Sequence, residues 1–357
     1  MDNVKKFFTM GISVLLIITS VIFAPSERSD VNAGKGKGKD TKITTVEELS
    51  DIFEFMANTD FSEDESSGKN ALTNLSYSSD DSDDEEEESK NKHTSVTLHS
   101  ESVSTSKYSL VPSSKSSYHS RSYSIDIDRN LSVYMTTEAA YYKSKGNLNY
   151  SYKYYDADEK KNVSEAYFIS FDIEMLFDKT GMLMKFNKWD MSGDTDFSFK
   201  DEVFGKWFRF GDEEFAEGFL DIDLTNRSVL SKIGYITSQT DEDLFVGRGN
   251  SYSVKDDFLE DVLEEIFDVG LDKESLRTGG FNVDFSSSKK PSLFMWLDYA
   301  YQDYDENIGK QNSSAYSYEK IRFENIDNTV INPLDEDIEI EVITDPDIFE
   351  DKYVVEE

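Results

Sequence analysis

From residue 93 onward the chain is dominated by alternation at period two, the mark of strands with one dry and one wet face. The clearest case is "YEKIRFENIDNTVINP" at 318–333. Ile321 and Phe323 point one way, Lys320, Arg322 and Glu324 the other, and an Asp-Asn turn leads to a proline, which lacks a backbone donor and belongs where pairing ends. The stretch reads as the closing strand of an antiparallel sheet. "SVTLHSESVST" (95–105), "YSIDIDRNLSVYMTT" (123–137) and "GNLNYSYKYY" (146–155) alternate in the same way, with serine, threonine and tyrosine in pleated positions. "AYFISFDIEMLFDKTGMLMKFNKWDM" (166–191) predicts a hairpin. Ile169, Phe171, Ile173, Met175 and Phe177 form one face, "DKTG" turns, and Met184 and Phe186 return. Further strands are expected at "FGKWFRF" (204–210), "GGFNVDF" (279–285) and "PSLFMWLDYAY" (291–301).

Helical periodicity is confined to three stretches. In "TTVEELSDIFEFMAN" (44–58) Val46, Leu49, Phe53 and Met56 share a face, and Thr44 and Thr45 with Glu47 and Glu48 supply capping boxes. Such an amphipathic helix must dock its apolar stripe, and the body of the protein is the nearest apolar surface. "NRSVLSKIGYIT" (226–237) is a second candidate. In "SVKDDFLEDVLEEIFDVG" (253–270) Ser253 is read as the cap, Phe258, Val262 and Ile266 as the apolar face, and Gly270 as the end. Strands segregated from helices and joined by hairpin-length turns predict an α+β fold with an antiparallel sheet.

Charge then divides the chain into segments. Lys5 and Lys6 precede "FFTMGISVLLIITSVIFA" (7–24), a charged and an apolar region with "VNA" at 31–33 as a small-residue cleavage site, which predicts export by a signal at 1–33. The competing reading, a retained membrane anchor, is weakened by Thr9, Ser13, Thr19 and Ser20 within the apolar run. Residues 34–60 form a tail and the first helix, and "GKGKGK" (34–39) lacks the spacing of a phosphate loop and is expected to be flexible. Residues 61–92 are acidic and almost lack apolar side chains, so they predict a disordered linker rather than a calcium loop. Residues 93–345 form the domain and 346–357 an acidic C-terminal tail. The chain holds 37 basic and 73 acidic residues, a net charge of −36, which disfavours nucleic acid and anionic membranes as partners. Cysteine is absent, which excludes a lipid-modified cysteine and disulfides.

"GKWFRF", the helices, "GGFNVDF", a proline-led apolar strand and "IRFENIDNTVINP" before an acidic end together resemble the LolA and LppX/LprG-like extracytoplasmic proteins. The resemblance implies a strongly curved antiparallel sheet, a half-barrel, wrapped around helices and enclosing an apolar cavity for a lipid or a lipidated molecule. The expected lining is Phe171, Ile173, Met184, Phe186, Phe281, Val283, Phe285, Leu293, Met295, Leu297, Ile321 and Phe323, each of which also suits a packed core. Transfer of an acyl chain into such a cavity is favoured by about 0.8 kcal/mol per methylene. The helices at 226–237 and 254–269 would form a movable lid. The chain departs from the LppX-like members in lacking the anchoring cysteine and in carrying the long acidic linker.

Catalytic chemistry is poorly supplied. The three histidines, His93, His99 and His119, lie in the serine-rich early strands close to the linker and show no organised spacing, and no Gly-x-Ser-x-Gly elbow occurs. Segments beginning at Asp156, Asp190 and Asp303 open like calcium loops but lack glycine at the sixth position with glutamate at the twelfth, and are read as hairpin turns. No cofactor or metal is implied. The expectation is an exported, non-enzymatic protein of the cell envelope or medium that holds a hydrophobic ligand, with a cell-envelope protein as a further partner. The rival is a cell-surface polypeptide-interaction or sensor protein with a packed interior, working through its tyrosine-rich sheet face and acidic segments. A carbohydrate-active enzyme is a third reading and needs two carboxylates facing each other in an aromatic cleft.

Overall fold

The computed structural model of the chain describes residues 33–59, 93–156, 160–178, 181–193, 197–210, 227–239, 244–267, 275–332, 334 and 338–356. The predicted signal up to residue 32, the acidic linker, the centre of the 178–181 turn, Gly270 and Pro333 lie outside them. The strands are β1 (Ala33–Lys35), β2 (Ser95–Pro112), β3 (Arg121–Thr136), β4 (Ala139–Asp156), β5 (Lys161–Asp178), β6 (Gly181–Gly193), β7 (Phe197–Phe199), β8 (Trp207–Phe210), β9 (Phe245–Arg248), β10 (Ser251–Val254), β11 (Leu276–Asp284), β12 (Ser292–Asp305), β13 (Gly309–Glu324), β14 (Thr329–Ile331), β15 (Ile340–Ile343) and β16 (Val354–Glu356). The helices are α1 (Val46–Asn58), α2 (Arg227–Ser238), α3 (Asp256–Phe267) and α4 (Pro346–Tyr353).

Twelve strands make one open sheet in the order β15-β8-β6-β5-β4-β3-β2-β13-β12-β11-β10-β9. All neighbours are antiparallel except β15, which runs parallel to β8. The fold is α+β, as the alternation predicts. Strands β2 to β6 form a meander, and β9 to β13 form a second one that returns so that β13 lies beside β2. The closing strand is therefore the last of the second meander but sits inside the sheet, buried on both edges by β2 and β12. Ile321 and Phe323 are buried on the inner face as the alternation requires. Asn325 and Asp327 adopt left-handed φ of 53° and 58°, a conformation that Asn and Asp tolerate better than most side chains. That turn lifts the chain off the sheet, and β14 then pairs with β1.

The inner face of the sheet carries the main core, and α1 sits against it. Thr45 accepts from the Glu48 amide at 3.1 Å, while the Glu48 carboxylate accepts from the Thr44 amide at 2.7 Å, so the capping box forms. Val46, Leu49, Ile52, Phe53, Phe55 and Met56 are all buried, a wider stripe than the four positions read from the spacing. The reason is that α1 is packed on two sides. Phe53 meets Phe323 of the sheet edge-to-face at 5.2 Å, and a Cβ on Gly234 of α2 would lie 2.9 Å from Phe53 Cβ. Each fully buried side chain of this size contributes roughly 1.5–3 kcal/mol.

Four expectations are corrected here. Ser253 does not cap α3: it lies in β10 and its hydroxyl bonds Asn282 at 2.6 Å, because the strand register claims it first. The buried face of α3 is Val262, Leu263 and Ile266, with Phe258 exposed. The acidic end of the chain is a docked element: Phe349 and Tyr353 of α4 are buried against Phe208, and β16 pairs with β7. "GKGKGK", expected to be flexible, is a strap. Gly36 N donates to Asn328 O at 2.5 Å, Gly38 N to Asn328 Oδ1 at 2.8 Å, and Asn328 Nδ2 to Asp40 Oδ1 at 2.9 Å. A Cβ on Gly36 or Gly38 would come within 2.7 or 2.9 Å of Asn328 Oδ1, so the glycines serve close approach.

Candidate functional site

The twelve residues picked from the sequence are all buried on the inner face, and all but Leu297 belong to one apolar cluster with the helices. They fall in two groups. Phe171, Ile173, Met184 and Phe186 sit on β5 and β6, with Ile173 opposite Phe186. Phe281, Val283, Phe285, Leu293, Met295, Leu297, Ile321 and Phe323 gather on β11 to β13 and just beyond, with Val283, Leu293 and Ile321 in one cross-strand row. The helices at 226–237 and 254–269 contribute Ile233, Ile236, Val262 and Ile266 to the same cluster.

Between the two groups the register places a polar belt that the apolar pattern did not reveal. Met295, Glu319, Ser102, Arg129, Gly146 and Phe171 form one cross-strand row. Arg129 and Glu319 are both buried, and Ser100 Oγ donates to Glu319 Oε1 at 2.8 Å. Burial pushes the Glu319 carboxyl above its ordinary value, opposed by Arg129 and the Ser100 hydroxyl. The available signal was serine at 100, 102, 104 and 106, alternate positions that all face inward on β2.

Farther along the same strands the inner face changes character. One row reads Tyr301, Ser313, Tyr108, Tyr123, Tyr152, Glu165, and the next reads Tyr299, Ala315, Ser106, Ile125, Tyr150, Tyr167. The rings stand nearly parallel: Tyr108 and Tyr123 stack at 5.6 Å, Tyr150 and Tyr167 at 5.6 Å, Tyr152 and Tyr154 at 5.1 Å. Arg121 lies 5.7 Å from the Tyr108 centroid. Tyr108, Tyr123, Tyr150 and Tyr152 remain partly exposed. Burial raises the Tyr150 hydroxyl above its usual value, with neighbouring Tyr152 and Glu165 adding to the shift. Rings stacked on one another spend their faces on each other and present edges and hydroxyls outward.

Around β2, β3 and β13 the outer face is polar, and two histidines prove organised, His99 on that face and His93 just before β2. His99 Nδ1 lies 2.9 Å from Ser132 Oγ and Nε2 lies 2.9 Å from Glu324 Oε1. Burial lowers the His99 pKa, opposed by Glu324; burial alone would raise Glu324, but Lys290, His99 and Arg322 outweigh it. A serine, a histidine and a carboxylate in line suggest acyl transfer, which needs backbone N–H groups aimed at an oxyanion. Ser132 sits in the middle of β3, hydrogen-bonded to strands on both sides, so its backbone is committed to the ladder. The line ties β2, β3 and β13 together. His93 Nδ1 meets Asp327 Oδ2 at 3.1 Å and Thr94 N donates to Asp327 Oδ1 at 2.8 Å. Burial would raise Asp327, but these bonds and one from Thr41 hold it well below the usual carboxylate range.

A second small apolar cluster, Tyr141, Leu176, Leu183 and Trp207, lies on the outer face beneath Ala33, Ile331 and Ile340. Away from it a depression of about 360 Å³ opens on the outer face, lined by Ser124, Asp126, Asn149, Tyr150, Ser151, Ala166, Tyr167, Phe168, Ser192 and Gly193. Among the described residues, no group of three or more His, Cys, Asp or Glu is placed to hold a metal ion. Nor, among them, is any helix long and apolar enough to cross a membrane. No family model matches the chain, and neither does any curated protein.

Proposed function

We propose that this is an exported, non-enzymatic cell-surface protein that binds a polypeptide through the tyrosine-serine rows of its inner face. The observation that carries the reading is the pair of cross-strand rows centred on Tyr108, Tyr123, Tyr152 and Tyr150, interleaved with Ser106 and Ser313. Tyrosine and serine are the residue types from which antibody combining sites are chiefly built, because a tyrosine offers a large rigid contact area at small entropic cost and a serine adaptable hydrogen bonding. Upright, self-stacked rings suit a partner that accepts and donates hydrogen bonds along an edge, as a peptide backbone does.

The rival reading is a carrier that holds a lipid among the twelve apolar side chains. Eleven of the twelve share one apolar cluster with Ile233, Ile236, Val262 and Ile266 of the helices, which suits a filled core, so the partly exposed rows support the polypeptide reading better. The test is a peptide array probed with the wild type and with Tyr108→Ser/Tyr123→Ser/Tyr152→Ser. Retained peptides that are lost with the triple variant support the reading, and peptides retained equally by both sink it. Native mass spectrometry with organic extraction of residues 34–357 decides the rival: a stoichiometric lipid moves the assignment to the carrier.

A further inference from the structure

Apart from Tyr150 and Tyr167, which belong to the tyrosine rows behind it, the outer-face depression is lined by small, polar and phenylalanine residues. Its floor is Ser124, Ser151 and Ala166, small side chains lying opposite one another on β3, β4 and β5. One wall is the next row, Asp126, Asn149, Phe168 and Ser192. Phe168 is 39% exposed among the polar side chains Asp126, Asn149 and Ser192 of its row, and it takes no part in the ring stacking that occupies the tyrosines. One row further along β3 and β4, Asn147 Nδ2 donates to both oxygens of Asp128 at 3.1 and 3.3 Å, so that pair satisfies itself. Asp126 and Asn149 are the same two residue types directly opposite each other, yet their side chains make no hydrogen bond to each other among the described residues. Their acceptors and donors face the depression instead.

We propose that this depression is a saccharide site, separate from the polypeptide surface and on the opposite side of the sheet. A sugar ring has an apolar C–H face and a periphery of hydroxyls. The open ring of Phe168 receives the first; the Asp126 carboxylate, the Asn149 amide and the serine hydroxyls exchange hydrogen bonds with the second. Adjacent hydroxyls both donate to a carboxylate and accept from an amide, and a carboxylate next to an amide offers both. A volume of about 360 Å³ lies at the small end of the range for small-molecule sites, which fits one or two rings rather than a long chain. The charge of −36 disfavours acidic sugars and favours neutral or N-acetylated ones.

The experiment is an array of neutral and N-acetylated glycans probed with the wild type, Phe168→Ala and Asp126→Ala, followed by saturation-transfer NMR on the best glycan. These side chains are on the outer face, so circular dichroism is expected to be unchanged. Retention by the wild type and at least a tenfold loss in each variant support the site. Absence of retention, or retention undiminished in both variants, overturns it. Should Phe168→Ala fail to fold, Phe168→Tyr, which keeps the ring, is expected to fold and bind within about threefold of the wild type; no binding by that folded variant also overturns the proposal.

Discussion

The two halves of the inner face are built on the same strands and differ in what covers them. On the half nearest α1 the strands present Leu98, Val133, Tyr142, Met175 and Phe323, and the helices close over them. On the far half the same strands present Tyr108, Tyr123, Tyr152 and Glu165, which stay partly exposed. A half buried under helices gains by the area it removes from water, whereas a half with no helix over it among the described residues gains mainly from neighbouring side chains across the strands. The first is where stability resides, and the second is the half to which we assign the proposed recognition.

The sharpest way to break that comparison is a truncation on each side. Phe323→Ala, under α1, is expected to cost about 3–5 kcal/mol in urea unfolding. Asp327→Asn keeps the left-handed turn but removes the carboxylate that accepts from Thr94 N and pairs with His93, at a cost of about 1.5–3 kcal/mol at neutral pH. Because the folded pKa of Asp327 is depressed, its contribution is complete above the unfolded value of 3.8 and is lost as pH falls through the acid range. The gap between wild type and Asp327→Asn should therefore narrow in acid unfolding scans, and a gap that widens there contradicts the assignment. Gly234→Leu, which forces a side chain against Phe53, should cost about 1–3 kcal/mol and loosen α1, read as faster hydrogen exchange over residues 46–58. Tyr152→Ala, on the uncovered half, should cost about 1 kcal/mol or less. Smallest of all is a protease cut engineered between residues 60 and 92. Val46, Leu49, Ile52, Phe53, Phe55 and Met56 of α1 are buried in the main core, so the fragment carrying α1 should co-elute with the body in gel filtration.

What could be read from the chain was local. Alternation in 318–324 put Ile321 and Phe323 inside because a strand's two faces are fixed by parity, and the capping pair of Thr45 and Glu48 is closed within four residues. Apolar character placed all twelve candidate residues in the core, but it did not separate core from lining, since both want the same side chains. The reading of Ser253 failed because its competing partner, Asn282, lies on another strand. The strap failed for the same reason: six residues of glycine and lysine look flexible until Asn328, nearly three hundred residues away, supplies their hydrogen bonds. His99 looked unorganised because Ser132 and Glu324 come to it only through strand pairing.

The sequence by itself determined the long strands of the sheet and their two faces, the three apolar helical stretches and the acidic balance, because these depend on periodicity and composition within a window of residues. Tertiary structure alone decided that β13 lies beside β2, that α1 and the chain's end dock on the sheet, and that Arg129, Glu319 and the tyrosine rows share one face. Those outcomes depend on which strand pairs with which, and in what register. That choice is made by the whole set of buried side chains at once, since a shift of one residue would turn every one of them to the other face.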